Sequence, residues 1–220
     1  MSEPVARRTG GHQIIPRPDV WSPGPDAPWE LDTAPSIDQL LAAVADVEDS
    51  IAVPFPDARE SAVLVVLAEG RDGPEVLLTR RSLAMRTHSG EVSFPGGRVD
   101  PGESSTQAAL REAREEVGLD ESMVQVHGEL AHIHTWVSPS YIVPKVATAA
   151  ERFELSAQTI EVERVLWVPL SDFTKPGTYR SERWGDRPSD FVLHFFELDD
   201  ETVWGATARI LVDLLTRATG

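Results

Sequence analysis

Glu112, Glu115 and Glu116 stand at i, i+3 and i+4 in the run Arg111-Glu-Ala-Arg-Glu-Glu-Val-Gly-Leu119, which places three carboxylates on one side of a helix. Just upstream, the turn Gly97-Arg-Val-Asp-Pro-Gly-Glu103 delivers a further carboxylate, Glu103. Like charges at i and i+4 repel by a few tenths of a kcal/mol unless a cation sits between them. Hard oxygen donors crowded in this way suit a divalent ion that holds and activates a diphosphate. Any one of these glutamates taken alone reads as the solvated face of an amphipathic helix in an acidic protein. As a fixed constellation, a chance match is on the order of 10⁻⁸ per starting point.

The elements that must position these groups are legible around them. Ser104 and Gln107 form a Ser-x-x-Gln capping box, so a helix should begin at about Ser105, and Gly118 supplies a left-handed residue to end it. Thr106, Leu110, Ala113 and Val117 share one stripe, the expected core face, with the glutamates on the opposite side and Arg111 four residues before Glu115, able to orient it. Strands are expected at 62–67 and 75–79, joined by a turn at Gly70 to Gly73. Others are expected near 125–135, 141–148, 162–168 and 191–198. Ser36 can cap a short helix through Ile37, Leu40, Leu41 and Val44. Asp200 can cap a closing helix bearing Val203, Thr207, Ile210, Leu211 and Leu214. Strands with one helix inserted mid-chain and another at the end predict an α/β fold, a mixed sheet with helices on both faces.

A local reversal of charge marks a second candidate surface. The chain carries a net charge of −16, yet Leu77 to Arg98 holds Arg80, Arg81, Arg86 and Arg98 against one acid, Glu91. A basic patch on an acidic protein can focus an anionic ligand, although some of these arginines could simply pair with glutamates. Gly96 and Gly97 carry no Cβ and so let a diphosphate approach the backbone. His88 lies in the Gly/Ser/Thr-rich turn beside them, a candidate substrate contact. His132 and His134 alternate along a predicted strand without a third ligand at usable spacing, which does not make a zinc site. Phe94-Pro-Gly-Gly97 lacks the Gly-Lys-Ser/Thr ending of a P-loop, and no Gly-x-Ser-x-Gly elbow or Gly-x-Gly-x-x-Gly fingerprint occurs.

The pattern from Gly97 to Leu119 resembles the Nudix box of hydrolases that cut a diphosphate linked to another group, with Ala113 where that signature usually has a larger aliphatic residue. The stretch Leu77-Leu-Thr-Arg-Arg-Ser through Arg86, Gly90 and Phe94-Pro-Gly-Gly97 is similar to the one that marks the coenzyme A diphosphatase branch. Ser140-Tyr-Ile-Val-Pro144 and Val203-Trp-Gly-Ala-Thr-Ala-Arg-Ile-Leu211 echo the same branch. The resemblance implies an α/β/α sandwich and Mg²⁺ or Mn²⁺ held by Glu112 and Glu116, with Glu115 and Glu103 in support. It implies a carboxylate that takes the proton of the attacking water: a box glutamate, Glu115 or Glu116, or a distal one, Glu161. Substrate contacts would come from Arg81, Arg86, His88, Gly96 and Gly97, and coenzyme A would give 3′,5′-ADP and 4′-phosphopantetheine. The same box would also serve ADP-ribose, dinucleotides or nucleoside triphosphates, and the fold could act as a sensor without turnover.

Length and composition set the frame. At 220 residues, one domain with extensions is expected. No apolar run approaches the length of a membrane span, and the first residues carry no hydrophobic signal region. The absence of cysteine removes disulfides, thiolate catalysis and cysteine–zinc sites. The acidic balance argues against nucleic acid as a partner. The cytoplasm is therefore the expected compartment, a small diphosphate the expected partner, and the assembly state stays open, a homodimer included. Residues 1–35 hold seven of the 17 prolines and read as an extended arm whose Trp21 and Trp29 dock on a Nudix-type domain at 36–220.

Overall fold

Ala62-Val-Leu-Val-Val-Leu67 has no polar alternation, a pattern that requires a strand covered on both faces. The computed structural model describes residues 10–11, 13–29, 34–45, 58–85, 87–135, 140–185 and 192–218, and there this run forms the middle of β2 (Arg59–Gly70). Leu64 and Val66 pack in one core with Ala108, Ala109, Ala113 and Val117 of α2 (Ser105–Val117). Val65 and Leu67 face the other way. They join a core with Leu40 and Val44 of α1 (Ile37–Ala45), Leu170 and Phe173 of α3 (Leu170–Thr174), and Leu211 and Leu214 of α4 (Gly205–Arg217). Helices on both faces of a mixed sheet make an α/β/α sandwich, as expected.

The remaining strands of the main sheet are β3 (Gly73–Arg81), β4 (Val92–Ser93), β5 (Gly96–Arg98), β6 (Val124–Glu129), β7 (Ile133–Thr135), β8 (Ser140–Ala149) and β9 (Val162–Pro169). Among the described residues they form, with β2, an eight-stranded sheet: β8 lies parallel to β2, and β3, β5, β6, β7 and β9 pair antiparallel with their neighbours. β2 and β3 pair with each other only near their turn, where Gly70 opposes Gly73. Farther along they part, and β5 takes over pairing with β2 while β4 pairs with β3. This splay carries Gly96 and Gly97 into the middle of the sheet, beneath α2.

α2 starts as its sequence predicts. Ser104 Oγ accepts the Gln107 N–H at 3.2 Å, the Ser104 N–H is donated to the Gln107 side chain at 2.9 Å, and Gly118 ends the helix at φ 74°. Its buried face departs from the expected stripe: Ala108, Ala109, Ala113 and Val117 are buried, while Thr106 and Leu110 stay half-exposed. Small alanines let the helix backbone lie close to the sheet, so Ala113 is a close-approach residue and not a loss of packing. The expected strand at 125–135 is two strands separated by Leu130 to His132, and the closing helix begins later than expected. Val203 belongs to a short strand, β12 (Thr202–Trp204), and Asp200 does not cap α4, because its carboxylate accepts a hydrogen bond from Arg164 at 3.0 Å.

A second, four-stranded sheet joins β12 to β11 (Val192–Glu197), β10 (Tyr179–Trp184) and, from the N-terminal segment, β1 (Trp21–Pro23). Side chains along the segment tie it to the body. Gln13 donates to the buried Glu201 carboxylate at 2.6 Å, Arg17 forks onto Glu182, and Trp29 is buried against Tyr179 and Phe196. Trp29 therefore docks as expected, whereas Trp21 stays 43% exposed with the Arg17 guanidinium 4.1 Å over its ring. Arg17→Ala should lower the melting temperature by only roughly 2–4 °C. Arg17 is partly solvated, so its ion pair contributes no more than about 1 kcal/mol, and Arg180 and the Trp184 indole still satisfy Glu182. Calorimetry checks this, and a much larger fall would make the arm an integral part of the core.

Candidate active site

The acidic helix does not leave its glutamates equally solvated. Glu116 leans off α2 onto β5, where the Gly96 N–H donates to its carboxylate at 3.2 Å. Burial pushes the Glu116 carboxyl up to about 7. The Gly96 hydrogen bond opposes the rise, Glu112 and Glu161 add to it, and Arg81 works against it. Glu116 therefore lies toward the sheet, not diametrically opposite the core as the helical wheel suggested. Glu112 lies over the other glycine: a Cβ on Gly97 would sit 2.4 Å from the Glu112 carboxyl carbon. Glu115 is the outermost of the three, with a side chain 53% exposed.

Arg111 organises this group. Its guanidinium donates to Glu103 at 2.9 and 3.1 Å, to Glu112 at 2.9 Å and to the Arg98 carbonyl at 2.9 Å, and stands 3.6 Å from Glu115. The expected orientation of Glu115 by Arg111 is thus the weakest of its contacts. Those hydrogen bonds, with one from the Asp100 N–H, hold the Glu103 carboxyl below the usual carboxylate range. Among the described residues, no three acidic or imidazole groups stand close enough to cage an ion as they are. The donor set nevertheless suits a divalent cation. Glu112 and Glu116 offer hard carboxylate oxygens, and Glu116 is pushed toward its protonated form by burial first and by the neighbouring Glu112 charge second, both of which a bound cation would oppose. An ion that takes Glu112 competes with Arg111 for it.

The two adjacent arginines of β3 point to opposite faces, as strand geometry demands. Arg80 turns to the α4 side, with Glu201 at 2.9 Å and Glu163 at 3.0 Å, and is a scaffold residue. Arg81 turns to the α2 side, 3.4 Å from Glu161 and within the electrostatic reach of Glu116. Glu161 is held there because the Ser82 N–H donates to its carbonyl at 2.7 Å, and the Gln158 N–H ties the same loop to the Glu116 carbonyl at 2.9 Å. Arg81→Ala should raise KM about tenfold or more for a diphosphate substrate with little change in melting temperature, and Arg80→Ala should do the reverse. Kinetics and thermal melts on both variants decide the assignment, and equal behaviour would remove it.

His88 sits exposed at φ 56°, its Nδ1 2.9 Å from Glu91. Arg86 lies outside the described residues. Arg98 is exposed on β5, beside the glycines. His132 and His134 do share a face, packed on the Tyr141 ring with centroids 5.0 Å away in both cases, and His132 also bonds Glu129 at 2.9 Å. The burial of Glu116 was not legible beforehand, because it depends on β5 passing beneath the helix.

The NUDIX domain profile matches residues 58–188. The chain is 38% identical over 168 residues to Nudix hydrolase 22, chloroplastic, of Arabidopsis thaliana, covering 72% of this chain and 55% of that one. It is 37% identical to the uncharacterized Nudix hydrolase NudL of Photorhabdus laumondii, covering 71% and 83%. It is 34% identical to Nudix hydrolase 3 of Caenorhabditis elegans, covering 80% and 76%. The chain thus spans about half the length of the Arabidopsis relative. Among solved structures, a MutT/nudix family protein from Enterococcus faecalis shares the fold at a TM-score of 0.52 and 18% identity, over 81% of this chain and 68% of that one. No described helix is long and apolar enough to cross a membrane. Nudix hydrolases generally act on small nucleotide-type substrates with a divalent ion such as Mg²⁺ or Mn²⁺. With the box helix, its glycine floor and this profile in agreement, the chain belongs to the NUDIX domain family of hydrolases.

Proposed function

We propose that this protein is a metal-dependent diphosphatase that cleaves coenzyme A or a derivative into 3′,5′-ADP and 4′-phosphopantetheine or its acyl form. The observation that carries the reading is the meeting of Arg81, from the basic stretch, with Glu116 of the box helix and Glu161 of the loop before β9. Coenzyme A as the substrate rests on the Leu77–Gly97 stretch, whose similarity to the coenzyme A branch includes Arg81.

Each residue has a physical part. Without Cβ atoms at Gly96 and Gly97, Glu116 and Glu112 close over β5, so a diphosphate would meet the glycines across these two carboxylates. Arg81 attracts and orients its anionic oxygens. Glu112 and Glu116, with Glu115 beside them, would hold Mg²⁺ or Mn²⁺, and Glu103 keeps Arg111 in place to set the Glu112 carboxylate. The ion, when bound, supplies charge neutralisation and a more acidic water. To Glu161, the carboxylate paired with Arg81, this reading gives the task of accepting a proton from the water that attacks phosphorus. His88 and Arg86 are further substrate contacts in this reading, on the resemblance of the Leu77–Gly97 stretch alone.

A panel of diphosphates with Mg²⁺ or Mn²⁺, read by chromatographic identification of products, tests the reading. The expected outcome is 3′,5′-ADP and 4′-phosphopantetheine from coenzyme A. Preferential turnover of ADP-ribose, dinucleotides or nucleoside triphosphates would leave a hydrolase and remove the substrate assignment.

A further inference from the structure

Two large aliphatic side chains stand almost bare beside the site: Leu83 is 69% exposed and Ile160 is 92% exposed. β3 and β9 run antiparallel with Arg81 opposite Val162, and the next contact is the Ser82 N–H to the Glu161 carbonyl. Leu83 follows Ser82 and Ile160 precedes Glu161, so each stands in a tight turn, Ser82–Met85 and Thr159–Val162, on either side of that hydrogen bond and next to the Arg81–Glu161 pair. Neither residue lies on a loose segment. The Leu83 carbonyl accepts the Ser89 hydroxyl at 2.9 Å, and a Cβ on Gly90 would lie 2.9 Å from a Leu83 methyl. Ile160 tips a turn closed by the Val162 N–H to the Thr159 carbonyl and anchored through Gln158 to the box helix. Exposed apolar groups on hydrogen-bonded turns next to a charged pair offer a contact for a ligand that is apolar close to its charge.

We infer that Leu83 and Ile160 form a specificity lip for the branched carbon next to the diphosphate of a pantetheine-bearing substrate. The inference rests on the coenzyme A reading above. On the pantetheine side of that diphosphate, one CH₂ separates the phosphate ester oxygen from a carbon carrying two methyl groups. ADP-ribose and dinucleotides present a polar ribose in the same place. The lip begins immediately beyond Arg81 and Glu161, which suits a group this close to the phosphates. A fatty-acyl chain begins far down the pantetheine arm and would lie beyond it.

The test is a cycle on the whole chain: wild type and the Leu83→Ser, Ile160→Ser double variant, each with coenzyme A and with its analogue lacking both methyls. For wild type, removing the two methyls should raise KM about 15-fold, because full burial of each such group contributes about fourfold. The double variant should have a KM for coenzyme A raised by a similar factor, and methyl removal should then change it less than about twofold. The single variants should each show part of the effect, and unchanged melting temperatures should show that all are folded. Additive losses from the substitutions and from methyl removal would overturn the lip and leave the coenzyme A reading standing. An octanoyl thioester advantage that the double variant loses, with no methyl effect, would overturn it by placing the contact at the acyl end. If wild type releases no product from coenzyme A, both readings fail together.

Discussion

Glu116→Gln should lower kcat by at least about 10²-fold, with the loss persisting at saturating metal. The substitution removes a negative charge from the carboxylate that leans over β5. A glutamine amide oxygen can still accept the Gly96 N–H, so the local geometry is retained. In the ion-free protein near neutral pH the effect on stability should be small, since burial already pushes Glu116 up to about 7 and a neutral amide resembles its protonated form. The paired readout matters: a large loss in kcat with an unchanged melting temperature identifies a functional carboxylate. An active Glu116→Gln enzyme with the same metal dependence would end the metal assignment.

Mg²⁺ or Mn²⁺ should raise the melting temperature of the wild type by roughly 5–10 °C at a concentration about 100 times Kd. Binding to the folded state alone contributes ~2.7 kcal/mol there, and a domain of this size shifts by roughly 2–4 °C per kcal/mol. The Glu112→Gln, Glu116→Gln double variant should respond much less. The response should also depend on pH. Glu116 ordinarily titrates at 4.5 and is raised to about 7 in the fold. The folded state then holds a proton that the unfolded chain has released. The stability this group contributes is complete below pH 4.5 and is lost as pH rises through 7. Metal competes with that proton, so the metal-induced shift should be greater at pH 8 than at pH 6. At pH 8 the ion-free double variant should melt at the wild-type temperature or above it, because carboxylate repulsion has been removed. Equal metal shifts in both proteins would place the ion elsewhere.

What the sequence could reveal followed from local rules. The capping box at Ser104, the left-handed Gly118 and the turn between Gly70 and Gly73 depend on a few neighbouring residues, and the structure bears them out. The double-sided burial of β2 was equally legible in an apolar run without alternation. What escaped was decided by distant partners. The buried alanines of α2 depend on how close the sheet comes, and the raised Glu116 carboxyl depends on β5 sliding beneath it. β10 and β12 are short, carry charged or polar residues and are held by pairing with β11, so no periodicity announced them. Ile160 is a lone aliphatic between Thr159 and Glu161, too isolated to read as part of any face.

The opposite orientation of Arg80 and Arg81 constrains how this chain can vary in length. Between the turn at Gly73 and the parting of β3 from its neighbours, the gain or loss of one residue would exchange the two faces. A scaffold guanidinium would then face the carboxylates of α2, and the other would meet Glu201. Both arginines would remain in the sequence, and an alignment would score the change as a single gap. A substitution on this strand changes one contact, whereas a one-residue insertion that no bulge absorbs changes the face of every residue after it. The stretch that begins at Leu77 therefore depends on its count of residues as much as on its composition, and a search for functional relatives should fix its spacing to the box before it weighs residue identity.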